Sequence, residues 1–312
     1  MEVSKNTPLL EFNPNTVQEI RDELNLNQDA ITQMLDTFEE WISKQQHFTK
    51  KDFSRIYLET YIIHSKGSLE RAKSNLEKLC TLKTLLPTYF EKHDVKRDFL
   101  DISGTLLSGT VPKLMKNNYR ISVMRIMSSD FEEAALRDCY RLMILITEYV
   151  KTYDYTFGFT CVIDCRHINI LSIVTKINVV DLRNSMAVLM EGYGLRINAI
   201  YVISQSKTID LFVTLLKQVL SDKIAGRINV VKTVEDLHKY IPRELLPKDY
   251  GGDEKTLKEI NENWINVLST KENVEYFKEM SQARTDEKYR LPDKYNEEVL
   301  GMPGSFRTLS VD

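Results

Sequence analysis

The sequence predicts an α/β fold, a mainly parallel sheet with crossover helices, preceded by a small all-helical domain. Three observations carry this. Strand-like and helix-like segments alternate from residue 119 to residue 231, whereas the segment before residue 92 shows helical apolar spacing alone. The alternation then ends in "LHKYIPRELLPKDYGG", residues 237–252, where two prolines and a glycine pair punctuate a short amphipathic repeat.

The helical part comes first, and a domain is expected over residues 1–92. Asn27 stands as a cap before Ile31, Met34, Leu35, Phe38, Trp41 and Ile42, which recur on one face. A second helix over 52–63 turns Phe53, Ile56, Tyr57 and Tyr61 inward. Ser68 caps a third, with Leu69, Ala72, Leu76, Leu79 and Leu82 at helical spacing. Pro87 then breaks the pattern.

The second domain is expected over 93–252. Tyr119, Ile121, Val123 and Arg125 alternate with Arg120, Ser122 and Met124, which predicts a half-covered edge strand. A helix over 130–151 carries Phe131, Ala135, Leu142, Ile146 and Val150. "FGFTCVIDC" reads as a strand covered on both faces. One long helical tract over 172–191 follows, then the buried strand "INAIYVIS", the helix "TIDLFVTLLKQVLSDKI" and the last strand "RINVV". The closing motif starts a short helix at Thr233 or Glu235, stops it at Pro242 and Pro247, and releases the chain at Gly251 and Gly252. A polar helical and extended tail is expected over 253–312.

Composition narrows the function. Forty-two Lys and Arg against 45 Asp and Glu leave a formal charge of −3, which gives no global attraction to nucleic acid or to an anionic membrane. Runs such as "LMILI" fall well short of a membrane span, and no basic, apolar and small-residue leader is present, so a cytoplasmic protein is expected. Cys80, Cys139, Cys161 and Cys165 form no disulfide framework; along one strand Cys161 and Cys165 would stand roughly 13 Å apart, and free thiols are expected. The five histidines match no zinc pattern, and no P-loop or G-x-S-x-G elbow occurs, so no metal, cofactor or catalysis is expected. Asp164 and His167 lie close in sequence and read as hydrogen-bonding residues at a strand end. In "TIDLFVTLLKQVL", Ile209, Phe212, Val213 and Leu216 form an apolar stripe that Leu211 and Leu215 widen. Periodicity does not distinguish a filled core from a hollow one under such a helix.

Read in order, "SLERAKSNLEKL", "FGFTCVIDC", "GYGLRINAIYVIS", "LKQVLSDK", "SDKIAGRINVV" and the closing motif resemble the CRAL-TRIO family of lipid-transfer proteins, the alpha-tocopherol transfer protein group among them. "GMPGSFRTLSVD" is similar to the ending of insect members. The resemblance implies a noncatalytic carrier of a small hydrophobic, isoprenoid-like ligand, with the sheet as cavity floor and the helix near 208–220 as a movable gate. It implies cavity or gate roles for Phe159, Cys161, Ile163, Ile173, Val174, Ile177, Ile200, Val202, Phe212 and Leu216, with Ser204, Tyr201 or Thr160 orienting a polar group.

It also implies transient contact with an anionic membrane, phosphoinositide included, through Arg196, Lys217, Lys223 and Arg227. Residues 196–232 hold six basic and two acidic side chains, a local excess of positive charge. Two features depart from the family pattern: Asn198 stands at a basic position, and "DCRHIN" lacks the glycine common after the strand aspartate. The alternative is a noncatalytic interaction module of the same fold that has lost its cavity.

Overall fold

The computed structural model describes residues 7–290, apart from 14, 103 and 131. The expected ending motif at 301–312 and the helical position of Phe131 therefore lie outside the described residues. The chain opens with α1 (Thr16–Glu23), which no sequence signal marked. Then come α2 (Gln28–Lys44), α3 (Arg55–His64), α4 (Leu69–Leu85) and α5 (Val95–Asp98). Asn27 and Ser68 cap as their chemistry dictates, accepting from the N–H groups of Ala30 at 2.8 Å and Arg71 at 3.3 Å.

The sheet runs β1 (Leu106–Leu114), β2 (Tyr119–Ile126), β3 (Gly158–Asp164), β4 (Ile197–Ile203) and β5 (Ile228–Val231), in that spatial order. β1 is antiparallel to β2, and the remaining pairs are parallel, so the sheet is mixed. This corrects one expectation. β2 is not an edge strand, because β1 lies outside it and Arg120 is fully buried, donating to both Asp154 carboxylate oxygens at 2.7 and 2.8 Å.

The connections are α6 (Glu133–Tyr153), α7 (Ile170–Lys176), α8 (Val179–Ala187), α9 (Ile209–Val219), α10 (Asp222–Ala225) and α11 (Val234–Leu237). The single tract expected over 172–191 is broken, because Asn178 accepts from the N–H groups of Val180 and Asp181 and starts a new helix. After α8 the chain tightens into a π-helical turn, Val188–Gly192. Among the described residues, no helix is long and apolar enough to cross a membrane.

Residues 253–290 carry helices, as expected, but do not trail from the domain as a polar tail. α12 (Leu257–Leu268) packs along β1, where Trp264 Nε1 donates to the Thr110 carbonyl at 2.9 Å and Asn261 accepts from the Ser108 N–H at 2.9 Å. These bonds satisfy an edge that would otherwise stay open. α13 (Lys271–Ser281) leads back to the first helices: Arg284 N–H donates to Thr49 Oγ1, and the Lys83 ammonium to the Met280 carbonyl at 2.7 Å. Nor do the paired glycines release the chain. Gly251 adopts φ 70°, and a Cβ on Gly252 would stand 1.9 Å from the Leu246 carbonyl oxygen; Glu254 N–H then bonds that same oxygen. The chain is folded back on the motif.

Candidate functional site

The side chains that β1–β4 and α6–α9 turn toward one another do not meet. Between them lies a cavity of about 200 Å³. Its floor is set by the two-residue repeat of the strands: Ser122, Met124 and Ile126 on β2, and Phe159, Cys161 and Ile163 on β3, with Ile200 on β4. Its roof comes from helices at three- and four-residue spacing: Cys139, Met143 and Thr147 on α6, Leu182 and Met186 on α8, and Phe212 and Leu216 on α9. Ile173 and Ile177 close one end. Leu189 and Met190 of the π-helical turn, with Leu195, also belong to the wall.

The structure thus brings Phe159, Cys161, Ile163, Ile173, Ile177, Ile200, Phe212 and Leu216 to one cavity. Two expected residues are elsewhere. Val174 is half-buried beside Ile173 but off the wall, because the lining face of α7 repeats at four residues. Val202, in register with Ile163, is wholly buried in solid packing. The expected polar groups are also spent: Thr160 Oγ1 accepts from Asn198 at 3.1 Å, Ser204 Oγ accepts from the Ser206 N–H at 3.2 Å, and Tyr201 stacks on Tyr240. None of the three lines the cavity. The four methionines Met124, Met143, Met186 and Met190, and the hydroxyls of Ser122 and Thr147, were not singled out in the sequence, where only an alternation through Ser122 and Met124 pointed to them.

The chemistry of the wall is that of a container. Burial pushes the Cys161 thiol up to about 12; burial, and then the Asp138 charge, does the same for Cys139. Both stay protonated at neutral pH and act as small apolar groups. No lining residue carries a formal charge. Asp164 does not pair with His167. It accepts from Arg125, Arg166 and the Tyr250 hydroxyl at 2.8–2.9 Å, and although burial alone would raise it, the hydrogen bonds from Arg166 and Arg125 hold its pKa at about 2.

The roof is held unevenly. α7 and α8 are tied by polar contacts: Lys176 Nζ to the Ser129 carbonyl at 3.0 Å, Arg137 to Asp181 at 2.7 Å, and the Tyr89 hydroxyl to Asp181 at 2.9 Å. Among the described residues, no side-chain hydrogen bond or ion pair joins α9 to another element. α9 packs against α7, α8 and α10, burying Ile209, Phe212, Val213 and Leu216 while leaving Leu211 outside at 48% exposure. Leu171 of α7 is similarly exposed.

Of the expected basic residues, Arg196, Lys223 and Arg227 gather around a fifth side chain that sequence reading missed. Lys66 follows α3 at φ 57°, exposed, and the charges of Lys223 and Arg196, with slight burial and then Arg227 and Arg71, push its pKa below the ordinary value. Lys217 lies on α9. Arg196 is partly committed elsewhere, its guanidinium lying 5.0 Å from the Phe157 ring centre.

Residues 109–252 match the family model of the CRAL/TRIO domain, and residues 27–100 that of the Pinta-like UBA domain. An alpha-tocopherol transfer protein-like protein of Mus musculus is 28% identical over 93 residues, 30% of this chain and 27% of that protein. Proteins of the same description from Pongo abelii and Homo sapiens are 32% identical over 68 residues, 22% of this chain and 20% of each. The chain thus spans about a quarter or less of the length of the curated relatives it matches. A crystal structure of Sfh5 superposes with a TM-score of 0.43 at 12% identity, covering 83% of this chain and 98% of that one. The fold is an α/β CRAL-TRIO domain with a mixed sheet, preceded by a UBA-like helical region.

Proposed function

We propose that this protein is a noncatalytic, cytoplasmic carrier that encloses a small hydrophobic molecule in the cavity and exchanges it at membranes when α9 swings outward. The observation that carries the reading is the cavity itself, apolar on its wall and roofed on one side by a helix that, among the described residues, apolar packing alone retains. Removing ~300 Å² of apolar ligand surface from water contributes about 7 kcal/mol before ordering costs, enough for micromolar or tighter binding. Release straight into water would forfeit that contact, whereas an outward-moving α9 against a bilayer offers the ligand a second apolar phase. Leu211 and Leu171 suit the bilayer side of that exchange, and the basic cluster around Lys66 suits anionic head groups, phosphoinositides included. Relatives described as alpha-tocopherol transfer protein-like support the carrier class over an interaction module. The open volume favours it too, since a module that had lost its cavity would have a filled core.

Native mass spectrometry of protein purified without detergent tests the reading. Wild type is expected to carry one lipid or to take one up from a lipid panel. Phe212→Asp sets a carboxylate in the cavity wall and is expected to lose that adduct while keeping its circular dichroism spectrum. Wild-type protein that neither retains nor acquires any lipid overturns the proposal.

A further inference from the structure

Where α3 meets α6, the facing side chains are polar. Tyr57, Tyr61 and His64 recur at four and three residues and so share one side of α3, and Glu148 and Lys151 share one side of α6 in the same way. All five are buried. Yet among the described residues the Tyr57 and Tyr61 hydroxyls, both ring nitrogens of His64 and Lys151 Nζ make no hydrogen bond. Lys151 Nζ lies instead 3.6 Å from the centre of the Tyr61 ring. Buried polar groups are nearly always paired, so a seam that leaves this many open is held below its full strength.

Glu148, whose charge reaches Lys151, is already taken. It accepts from the Tyr193 hydroxyl at 2.6 Å and from the Tyr276 hydroxyl of α13 at 3.4 Å, and it pairs with Lys83 of α4 at 3.5 Å. Glu59 of α3 is likewise bound by Arg21 and by the Tyr155 hydroxyl. The charges that act on His64 are positive: Lys151, and Arg196 just before β4. Burial first, and then these two charges, hold the imidazole well below its usual value, and the backbone of Thr156 and Tyr193 beside the ring offsets only part of this. Burial lowers Lys151 likewise, and raises the four tyrosines, which stay neutral.

The seam also bears on the cavity. α4 rests on the π-helical turn, where a Cβ on Gly192 would stand 3.1 Å from Leu79 and one on Gly194, at φ 65°, would collide with Asn75. Bare backbone is what lets the helical region press so close. The same turn sends Leu189 and Met190 into the cavity wall, and the residue after it is Tyr193, bound to Glu148.

We infer that this seam is an acid-operated latch: a proton on His64, set beside Lys151 with Glu148 already bound, parts α3 and α4 from α6 and withdraws the support of α4 from the wall at Leu189 and Met190. A buried charge with no partner is costly, so the proton is accepted by the open form in preference to the closed one. A free imidazole takes it near pH 6.5 and the buried ring only lower, so the closed seam keeps its full stability above about 6.5 and loses it as pH falls below that value. Between pH 7.5 and 5.5 one such group raises the opening constant about tenfold. Lys151, also lowered, acts with the same sign. The loosening of a held molecule rests on the carrier reading; the parting of the seam does not.

Hydrogen exchange of the full chain at pH 7.5 and 5.5, corrected for the intrinsic rate, tests the latch. Wild type is expected to open α3, α4 and residues 188–192 at least about tenfold more readily at pH 5.5, with β1 and α12 unchanged. His64→Gln is expected to lose about tenfold of that response, and His64→Gln with Lys151→Met to lose all of it, while thermal melts check that each variant folds. Nile red taken up at pH 7.5 is expected to leave wild type about tenfold faster at pH 5.5 and the double variant at one rate. Protection lost evenly across the chain, or an acid response in His64→Gln as large as in wild type, overturns the latch. A seam that opens while the dye leaves at one rate at both pH values overturns its link to the cavity wall. Protein that takes up neither dye nor lipid removes the carrier reading alone, and exchange still decides the latch.

Discussion

Asp164 ends β3 fully buried, and it keeps its charge there because three donors converge on it: Arg125 from the neighbouring strand, Arg166 from the next turn, and the Tyr250 hydroxyl. The sequence offered His167 as its neighbour and placed the closing motif only as punctuation. Tyr250 lies 86 residues further on, and no local spacing reports a contact of that range. What the motif closes is therefore visible at one atom pair: the tyrosine of "KDYGG" is pinned to the end of the central strand while the two glycines turn the chain back. Tyr250→Phe removes a donor from a buried carboxylate and is expected to cost about 1.5–3 kcal/mol in urea unfolding at neutral pH. Because the folded pKa of Asp164 is depressed, its share of stability is complete above the ordinary carboxylate value of about 3.9 and is lost as pH falls through about 2. The gap between wild type and Tyr250→Phe should narrow over that acid range.

β1 and α12 form the pairing that periodicity concealed. Gly109 and Pro112 interrupt β1, and a strand read for alternating apolar residues does not show through "SGTLLSGTVPKL". The glycine has a use: a Cβ there would stand 2.7 Å from Ile260 and 2.9 Å from Trp264, so only a bare backbone lets α12 lie on the strand. The remaining strands were legible because their two-residue and run patterns coincide with burial, which also explains why Phe159, Cys161 and Ile163 were found on one face. The helical walls were harder. Asn178 restarts the helix between Ile177 and Leu182, shifting the face that α8 presents, and Leu189 and Met190 reach the cavity through a π-helical turn whose phase no regular helical wheel reproduces. Gly109→Val is expected to destabilise by about 1–3 kcal/mol through overpacking and to red-shift Trp264 fluorescence as α12 lifts from β1. A blue-shifted or unchanged spectrum with full stability would deny that contact its role.

Across the whole molecule, the charge that faces outward is assembled from both folded regions. Lys66 and Arg71 come from the UBA-like helices, while Arg196, Lys223 and Arg227 come from the CRAL-TRIO domain, and the other four charges act on Lys66 although the chain as a whole is acidic. A tally of basic residues over 196–232 found three of these five; the other two depend on how the two regions dock, which local sequence does not encode. On the proposed carrier reading, charge and apolar contributions to membrane contact are separate, since the basic cluster surrounds Lys66 while Leu211 lies on the outer face of α9. Each basic residue near an anionic surface is worth about 1 kcal/mol and is screened within roughly 8 Å at physiological salt. Lys66→Glu with Lys223→Glu is therefore expected to weaken co-sedimentation with phosphatidylserine vesicles by about tenfold or more, with a smaller effect as salt rises, and to leave retention of a bound lipid in solution unchanged. Leu211→Asp is expected to slow lipid transfer to neutral and anionic vesicles alike, because it puts a charge on the helix that the carrier reading moves into the apolar phase. If the charge reversals slow transfer to neutral vesicles as strongly as to anionic ones, the cluster acts on the fold rather than on the membrane, and the division of labour between Lys66 and α9 fails.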